Sequence, residues 1–233
     1  MWGDAMKVKV NRKLLSTIRF DSGALGMMAM VLHQFSKPGF YRAIIKKPGE
    51  RSTGVDILVD EKSTERQLDI DMAQAIRQAK MRPGADCCKS EKATLRTISP
   101  KGYVLFFASS GSDYSVTVVN SDDKVAFDST HLSKGDLFAV SLLEPGGYIM
   151  ANKLGRSEGK IKVSLTLEMA REIKKLEAIY VDVGKTKFDP QSINLSSSQG
   201  LVFRIDDSAR ILIEKKEKIK KTDKKPDILW KKL

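Results

Sequence analysis

The sequence predicts a mostly β protein built as two tandem β-sandwich modules, each with a short helix. Three observations carry that expectation. Short runs rich in Val, Ile, Phe and Tyr are separated at regular intervals by Gly, Pro, Asn and Asp turn residues. The same pieces of text occur twice, in the same order. A chain of 233 residues, 41% of them apolar, has room and material for two small cores.

The repeat is read from four matches. Phe20-Asp21-Ser22 recurs as Phe127-Asp128-Ser129, and Pro38-Gly39-Phe40-Tyr41 as Pro145-Gly146-Gly147-Tyr148, both at a separation of 107. Val55 to Val59 resembles Ile161 to Leu165 at 106, and Leu68 to Ile76 resembles Leu165 to Ile173 at 97. Four matches in one order argue for an ancestral duplication, with an insertion in the first copy near Asp60 to Gln67. A period near 100 residues suits a small domain rather than a solenoid unit.

The elements follow in order. Met6 to Val10 alternates as a strand, and Leu14 to Phe20 is a second. Asp21-Ser22-Gly23 is turn chemistry. Met28 to Leu32 leads as a strand to the Pro38-Gly39 turn, Tyr41 to Ile45 returns, and Val55 to Val59 follows. Asp71 to Lys80 reads as a helix, because Met72, Ala75, Ile76 and Ala79 share one face and Arg82-Pro83-Gly84 stops it. Strands resume at Ala93 to Ile98, Tyr103 to Ala108 and Tyr114 to Asn120. The second copy closes on a helix from Glu168 to Glu177. Four strand-like runs follow, at Ile179 to Val183, Ser192 to Leu195, Leu201 to Ile205 and Arg210 to Ile213.

These runs divide the chain into a first module at 6–84, a linker at 85–92 and a second module at 93–177. C-terminal strands at 178–213 and a lysine-rich tail at 214–233 complete it. The C-terminal strands look like the opening of a module without its second half. They are expected to complete the N-terminal module; the alternative is strand exchange between two chains of a homodimer.

The motifs resemble the cupredoxin family, within a broader Ig-like sandwich class. Phe188-Asp189-Pro190-Gln191-Ser192-Ile193 with Gly200 to Phe203 looks like the family's opening. Gly135-Asp136-Leu137-Phe138, Pro145 to Tyr148 and Gly159 to Val163 look like its closing half. The resemblance implies a copper site with a cysteine four residues after the tyrosine of Pro-Gly-x-Tyr. Asn152 stands there, and Ile45 in the first copy, and no histidine follows in Lys153 to Glu158. The resemblance thus extends to fold and not to blue-copper chemistry, which needs a thiolate and two imidazoles. No cofactor is expected.

Other chemistry is sparse. Met27, Met28, Met30 and His33 are weak metal candidates, since methionines in an apolar run more often fill a core. His131 reads as a loop residue. Cys87-Cys88, the only cysteines, cannot build a disulfide framework and suit a reducing cytoplasm. Neither a phosphate-binding glycine loop nor a Ser-His-Asp pattern stands out. No signal-peptide pattern or run long enough to cross a bilayer appears, so the expected location is cytoplasmic.

The net charge is +12, which favours polyanionic or acidic partners. Candidate contacts are Lys46, Lys47 and Arg51, and the tail residues Lys215, Lys216, Lys218, Lys220, Lys221, Lys224 and Lys225, with Trp230 as a partner anchor. Tyr103 and Phe107 are candidates for stacking on bases. The leading expectation is a non-enzymatic binding or scaffold protein that engages protein partners. A nucleic-acid binder using the basic tail and loops is the alternative, and a copper or redox protein using Met, His and Cys is the third.

Overall fold

The computed structural model describes residues 16–81, 95–165, 176–197 and 199–216. The expected strand Met6 to Val10, the linker with Cys87-Cys88, nearly all of the expected second helix, and Lys218 to Trp230 lie outside the described residues. Strands β1 (Arg19–Asp21), β2 (Ala29–His33), β3 (Gly39–Lys46), β4 (Thr53–Val59) and β5 (Gln67–Asp71) lead into helix α1 (Met72–Lys80). Then come β6 (Arg96–Ile98), β7 (Tyr103–Phe107), β8 (Ser115–Asn120) and β9 (Val125–Asp128). The rest is β10 (Leu137–Ser141), β11 (Gly146–Asn152), β12 (Glu158–Ser164), β13 (Ile179–Val183), β14 (Phe188–Asp189), β15 (Ser192–Ser196), β16 (Gly200–Ile205) and β17 (Ile211–Lys215).

These strands form three sheets, as the alternating apolar pattern requires of a mostly β sandwich protein. One five-stranded sheet runs β6-β4-β3-β8-β9, and the other runs β1-β17-β11-β12-β15. Between the two halves runs a seven-stranded sheet, β14-β13-β16-β10-β2-β7-β5. The two five-stranded orders become the same when β3, β4, β6, β8 and β9 are set against β11, β12, β15, β17 and β1. The seven-stranded sheet reads alike from its middle outward: β2, β7, β5 on one side, β10, β16, β13 on the other. Its centre is the antiparallel pair of Val31 and Phe138.

The inward row through that centre is Ile70, Phe106, Val31, Phe138, Phe203 and Val181. Every member is buried, and Phe106, Val31, Phe138, Phe203 and Val181 are fully so. They belong to one continuous hydrophobic cluster that runs through both halves.

The recurring motifs have matching jobs. Phe20 and Phe127 are each buried. The Ser22 amide donates to Ile211 O, and the Ile211 amide returns a bond to Ser22 Oγ at 3.1 Å. Ser129 makes the same reciprocal pair with Val116. Asp21 and Asp128 each accept from the amide two residues on, at Gly23 and Thr130. Gly39 and Gly146 hold φ of +145° and +143°, a region that strains residues with a Cβ. The hydroxyls of Tyr41 and Tyr148 donate to the carbonyls of Lys37 and Glu144, 2.8 and 2.7 Å away.

The strand pairing departs from the expected division. β6 to β9 join β3 and β4, so the boundary falls after β9 rather than in the 85–92 segment. The C-terminal strands do not complete the N-terminal sandwich: β16, β17 and β15 pair with β10, β11 and β12, and β13 and β14 continue the sheet beyond β16. The exchange that does occur is within the chain. It is reciprocal: β1, which opens the first set of motifs, pairs with β17, and its counterpart β9, which opens the second, pairs with β8. Arg210 clamps that crossing, with Nε and Nη2 each 3.0 Å from the Asp21 carboxylate.

Two of the four sequence matches also shift. The hairpins pair Gly39 with Val59 and Gly146 with Val163, so Val55 to Val59 correspond to Gly159 to Val163. A two-residue slip leaves every side chain on the same face, so apolar pattern alone does not detect it. Leu68 and Ile70 are buried in β5, which matches β13, whereas Leu165 follows β12 and is 66% exposed. The longer connection is in the second half, 165–178 against 60–66.

Helix α1 forms where expected. Asp71 caps it, accepting from the amides of Ala73 and Gln74. Met72, Ala73 and Ile76 are buried, and the helix packs between β3 and β4 on one side and β5 and β7 on the other. No helix among the described residues is long and apolar enough to cross a membrane.

Two measurements check this account. Ser22→Ala and Ser129→Ala each orphan a buried amide, so each is expected to cost about 1–3 kcal/mol, and similar amounts, in urea unfolding. Burial, and then the Glu144 carboxylate, push the Tyr148 hydroxyl up to about 12 from its ordinary 10.0. The unfolded chain therefore loses this proton first. Tyr148 contributes stability that is intact below pH 10 and declines as pH rises toward about 12. Tyr148→Phe should flatten that alkaline decline, read as the urea midpoint against pH.

Candidate binding surfaces

The alternation that fills the core leaves a second set of side chains on the outer face of the seven-stranded sheet. One row across it is Phe107, Met30, Ala139, Val202 and Tyr180. The adjacent row is Leu105, Leu32, Leu137 and Arg204. Tyr103 continues the face along β7. Most of these residues are half-buried, while Tyr180 is 54% exposed. Asp71 and Asp69 close the two rows on β5. At the far side Arg204 forms a bidentate pair with Asp182, at 2.6 and 2.9 Å, and its guanidinium lies over the Tyr180 ring.

The middle of this face has no charge, in a chain that carries 41 Lys and Arg and 29 Asp and Glu. The central strip of this face carries no lysine, although the chain as a whole is strongly basic.

The strands that build it were found from sequence, but their outer residues were not singled out. A signal was present. Tyr103-Val104-Leu105-Phe106-Phe107 and Leu137-Phe138-Ala139-Val140 are apolar at both parities, the pattern of a strand covered on both faces. Tyr103 and Phe107, read as stacking candidates, both point outward here; Tyr103 is 37% exposed and Phe107 half-buried.

The metal candidates are not brought together in one place. Met30 belongs to the outer face and His33 to the inner one, so the two cannot ligate a common ion without rearrangement. Met28 packs against the core with φ of +67°. His33 Nδ1 lies 2.6 Å from Asp136 Oδ1, and Asp136 Oδ2 accepts from the Ser133 amide. The His33 ring packs against Phe35 and Phe127, centroids 4.4 and 4.9 Å away. This pair sits on the β2–β10 seam, one residue past Leu32 and Leu137. On the other side of the seam's centre the equivalent place holds Ala29 and Val140.

Asn152 occupies the place at which the family resemblance would put a cysteine. It is buried, and its side chain is spent on backbone groups: Nδ2 donates to Ser208 O, and Oδ1 accepts from Leu154 and Arg210. Ile45 is fully buried in β3.

The basic candidates are dispersed. Lys46 and Arg51 are exposed at the β3–β4 hairpin, while Lys47 lies over the Tyr114 ring at 4.7 Å. Lys215 is ion-paired with Glu144. Lys216 is exposed, and its amide extends the ladder to Gly147 O. His131 is an exposed turn residue whose amide bonds to Asp128 O. No family model, curated protein or solved structure matches the chain.

The His33–Asp136 pair gives a direct test of seam energetics. His33→Leu leaves a buried carboxylate short of its partner and should cost about 1–3 kcal/mol. His33→Leu with Asp136→Asn, which removes the charge but keeps an acceptor for Ser133, should regain part of that loss in urea unfolding.

Proposed function

We propose that this chain is a non-enzymatic β-sandwich binding protein. Its working surface is the outer face of the seven-stranded sheet, and its occupant is another protein chain. The uncharged apolar lattice on that face is the observation that carries the reading. Among the described residues the lattice has no covering element assigned to it.

The row pattern fits a second copy, related by a two-fold axis lying along the strands. Such an axis sets β2 over β10, β7 over β16 and β5 over β13. Met30 then faces Ala139 and Phe107 faces Val202, large against small. The Tyr180 hydroxyl comes to the Asp71 carboxylate at the end of that row, while in the adjacent row Leu32 faces Leu137, Leu105 faces Arg204, and Asp69 comes over Asp182, which is already paired to Arg204. Large-against-small pairing is what lets two sheets interdigitate at native density.

We also propose that the halves are degenerate, copper-free cupredoxin-like modules derived from one duplicated ancestor. Two things support this. The segments that look like the family's opening and closing halves lie in one sandwich, although the opening follows the closing in the chain. The motifs at a separation of 107 keep their hydrogen-bonding roles in both halves.

Sedimentation velocity of the full chain tests the working surface. A dimer is expected at micromolar concentrations. Leu32→Lys or Leu137→Lys, outward substitutions that leave the core intact, should return it to monomer with circular dichroism unchanged. A wild-type chain that stays monomeric at about 100 µM, well above a typical specific affinity, overturns the self-association reading.

A further inference from the structure

A second surface lies on the opposite side of the second half. The outer face of the β1–β15 sheet carries a groove of about 490 Å³. Its floor is Gly146 and Gly147, where β11 has no side chain to raise it. A Cβ built at Gly147 would meet no atom within 4 Å.

Lysines stand on both sides of that floor. Gly147 pairs with Lys162 on β12, and its carbonyl receives the Lys216 amide from the end of β17. Strand spacing puts the Lys162 and Lys216 backbones about 10 Å apart across the glycine. Lys160 lies two residues along β12, about 7 Å from Lys162. Beyond β12, the exposed Ser192 and Asn194 of β15 line the rim opposite Lys160 and Lys162. None of the three lysines makes an ion pair with a described carboxylate. Glu214, across the sheet on β17, is taken by Arg19, and Glu144 by Lys215; Glu158, beyond Lys160 at the start of β12, is the acid that shares the lysines' face.

The other half shows that this is not a by-product of the scaffold. At the matching places stand Phe40 for Gly147, Leu58 for Lys162 and Asp56 for Lys160, with Asp56 paired to Arg42. The same strand order therefore carries an open, unpaired cationic trough in one half only.

We propose that this groove holds the phosphodiester backbone of a single-stranded nucleic acid. Three ammonium groups around a side-chain-free floor let a charged, unbranched polymer lie close to the sheet. Ser192 and Asn194 add hydrogen-bond donors of the kind that phosphate and sugar oxygens use. The distance of about 10 Å between the Lys162 and Lys216 backbones seats one phosphodiester strand between them. Among the described residues the aromatic that lines the groove is Tyr148, whose ring is buried, so binding is through the backbone, independent of sequence and steeply salt-dependent.

The test is fluorescence anisotropy of a labelled mixed-sequence single-stranded DNA with the full chain, at several salt concentrations. Lys160→Gln/Lys162→Gln/Lys216→Gln is compared with Lys101→Gln/Lys124→Gln/Lys134→Gln, which removes the same charge from exposed sites elsewhere. The groove variant should bind at least about tenfold more weakly, with a log–log salt slope shallower by about 2, three contacts at about 0.7 each. The distal variant should stay within about twofold of wild type, the scale expected of an unspecific charge loss. Gly147→Glu, at a position where a Cβ meets no atom within 4 Å, puts a carboxylate on the floor and should weaken binding as much. Equal affinity of the groove and distal variants overturns the proposal. So does competition by poly-glutamate at the same charge concentration as effectively as by unlabelled DNA, which would assign the groove to acidic protein.

Discussion

The antiparallel seam between β2 and β10 is the constraint on which the rest of the molecule depends. It joins what would be two separate sandwiches into one seven-stranded sheet, with Val31 and Phe138 at its centre. Each half has an open side only because the other closes it. The buried row runs unbroken from Ile70 to Val181, so the seam is part of the core rather than an interface laid on afterwards. The exchange of β1 reinforces it from outside. Asp21 and Arg210, 189 residues apart in sequence, form a bidentate pair at that crossing. Neither half can complete its β-sheets without the other. The two should therefore unfold together rather than as independent domains, and their long-range pairings imply slow folding.

The seam also explains why the protein has a broad apolar outer face. Two isolated sandwiches would each present a narrow sheet with edges that need protection. Fusing them removes two edges and places six main strands side by side. A continuous face of six strands then becomes available that neither half offers alone. The sheet's internal symmetry relates the two rows of that face to each other, Met30 answering to Leu137 and Leu32 to Ala139. The His33–Asp136 pair marks where the symmetry is broken. It puts a polar pair at a core-facing position whose counterpart is filled by Ala29 and Val140.

Much of this architecture was legible in the sequence, and the gaps have physical causes. Phe-Asp-Ser and Pro-Gly-x-Tyr were found because they are turn chemistry: a buried ring, a carboxylate that caps an amide, a glycine at positive φ and a tyrosine hydroxyl that ties the turn. Those demands are local, so they leave local text. Which strand pairs with which is not local. β1 and β9 carry the same motif whether they pair within their own copy or, as here, with the last strand of the other, and only the partners Ile211 and Val116 show which occurs. The two-residue slip in β4 and β12 was invisible for a related reason, since it conserves parity. The groove was missed because its signal is an absence. Gly147 reads as part of a turn motif, and Lys160 and Lys162 read as an ordinary solvated strand face until Lys216, far along the chain, is set beside them.

The two proposed surfaces lie on opposite sides of the second sandwich, and that placement has a consequence. The apolar lattice is the outer side of the shared sheet, and the groove is the outer side of the β1–β15 sheet, with the core between them. Occupation of one leaves the other free. A face-to-face pair of chains would bury both lattices and carry its two grooves on its far sides, pointing away from each other. Two weak, backbone-only contacts held on one rigid body gain avidity when a single long strand spans both, and gain nothing when the strand is too short to reach. Length dependence of binding would thus report on the dimer as well as on the groove, because a monomer with one groove has no span to satisfy.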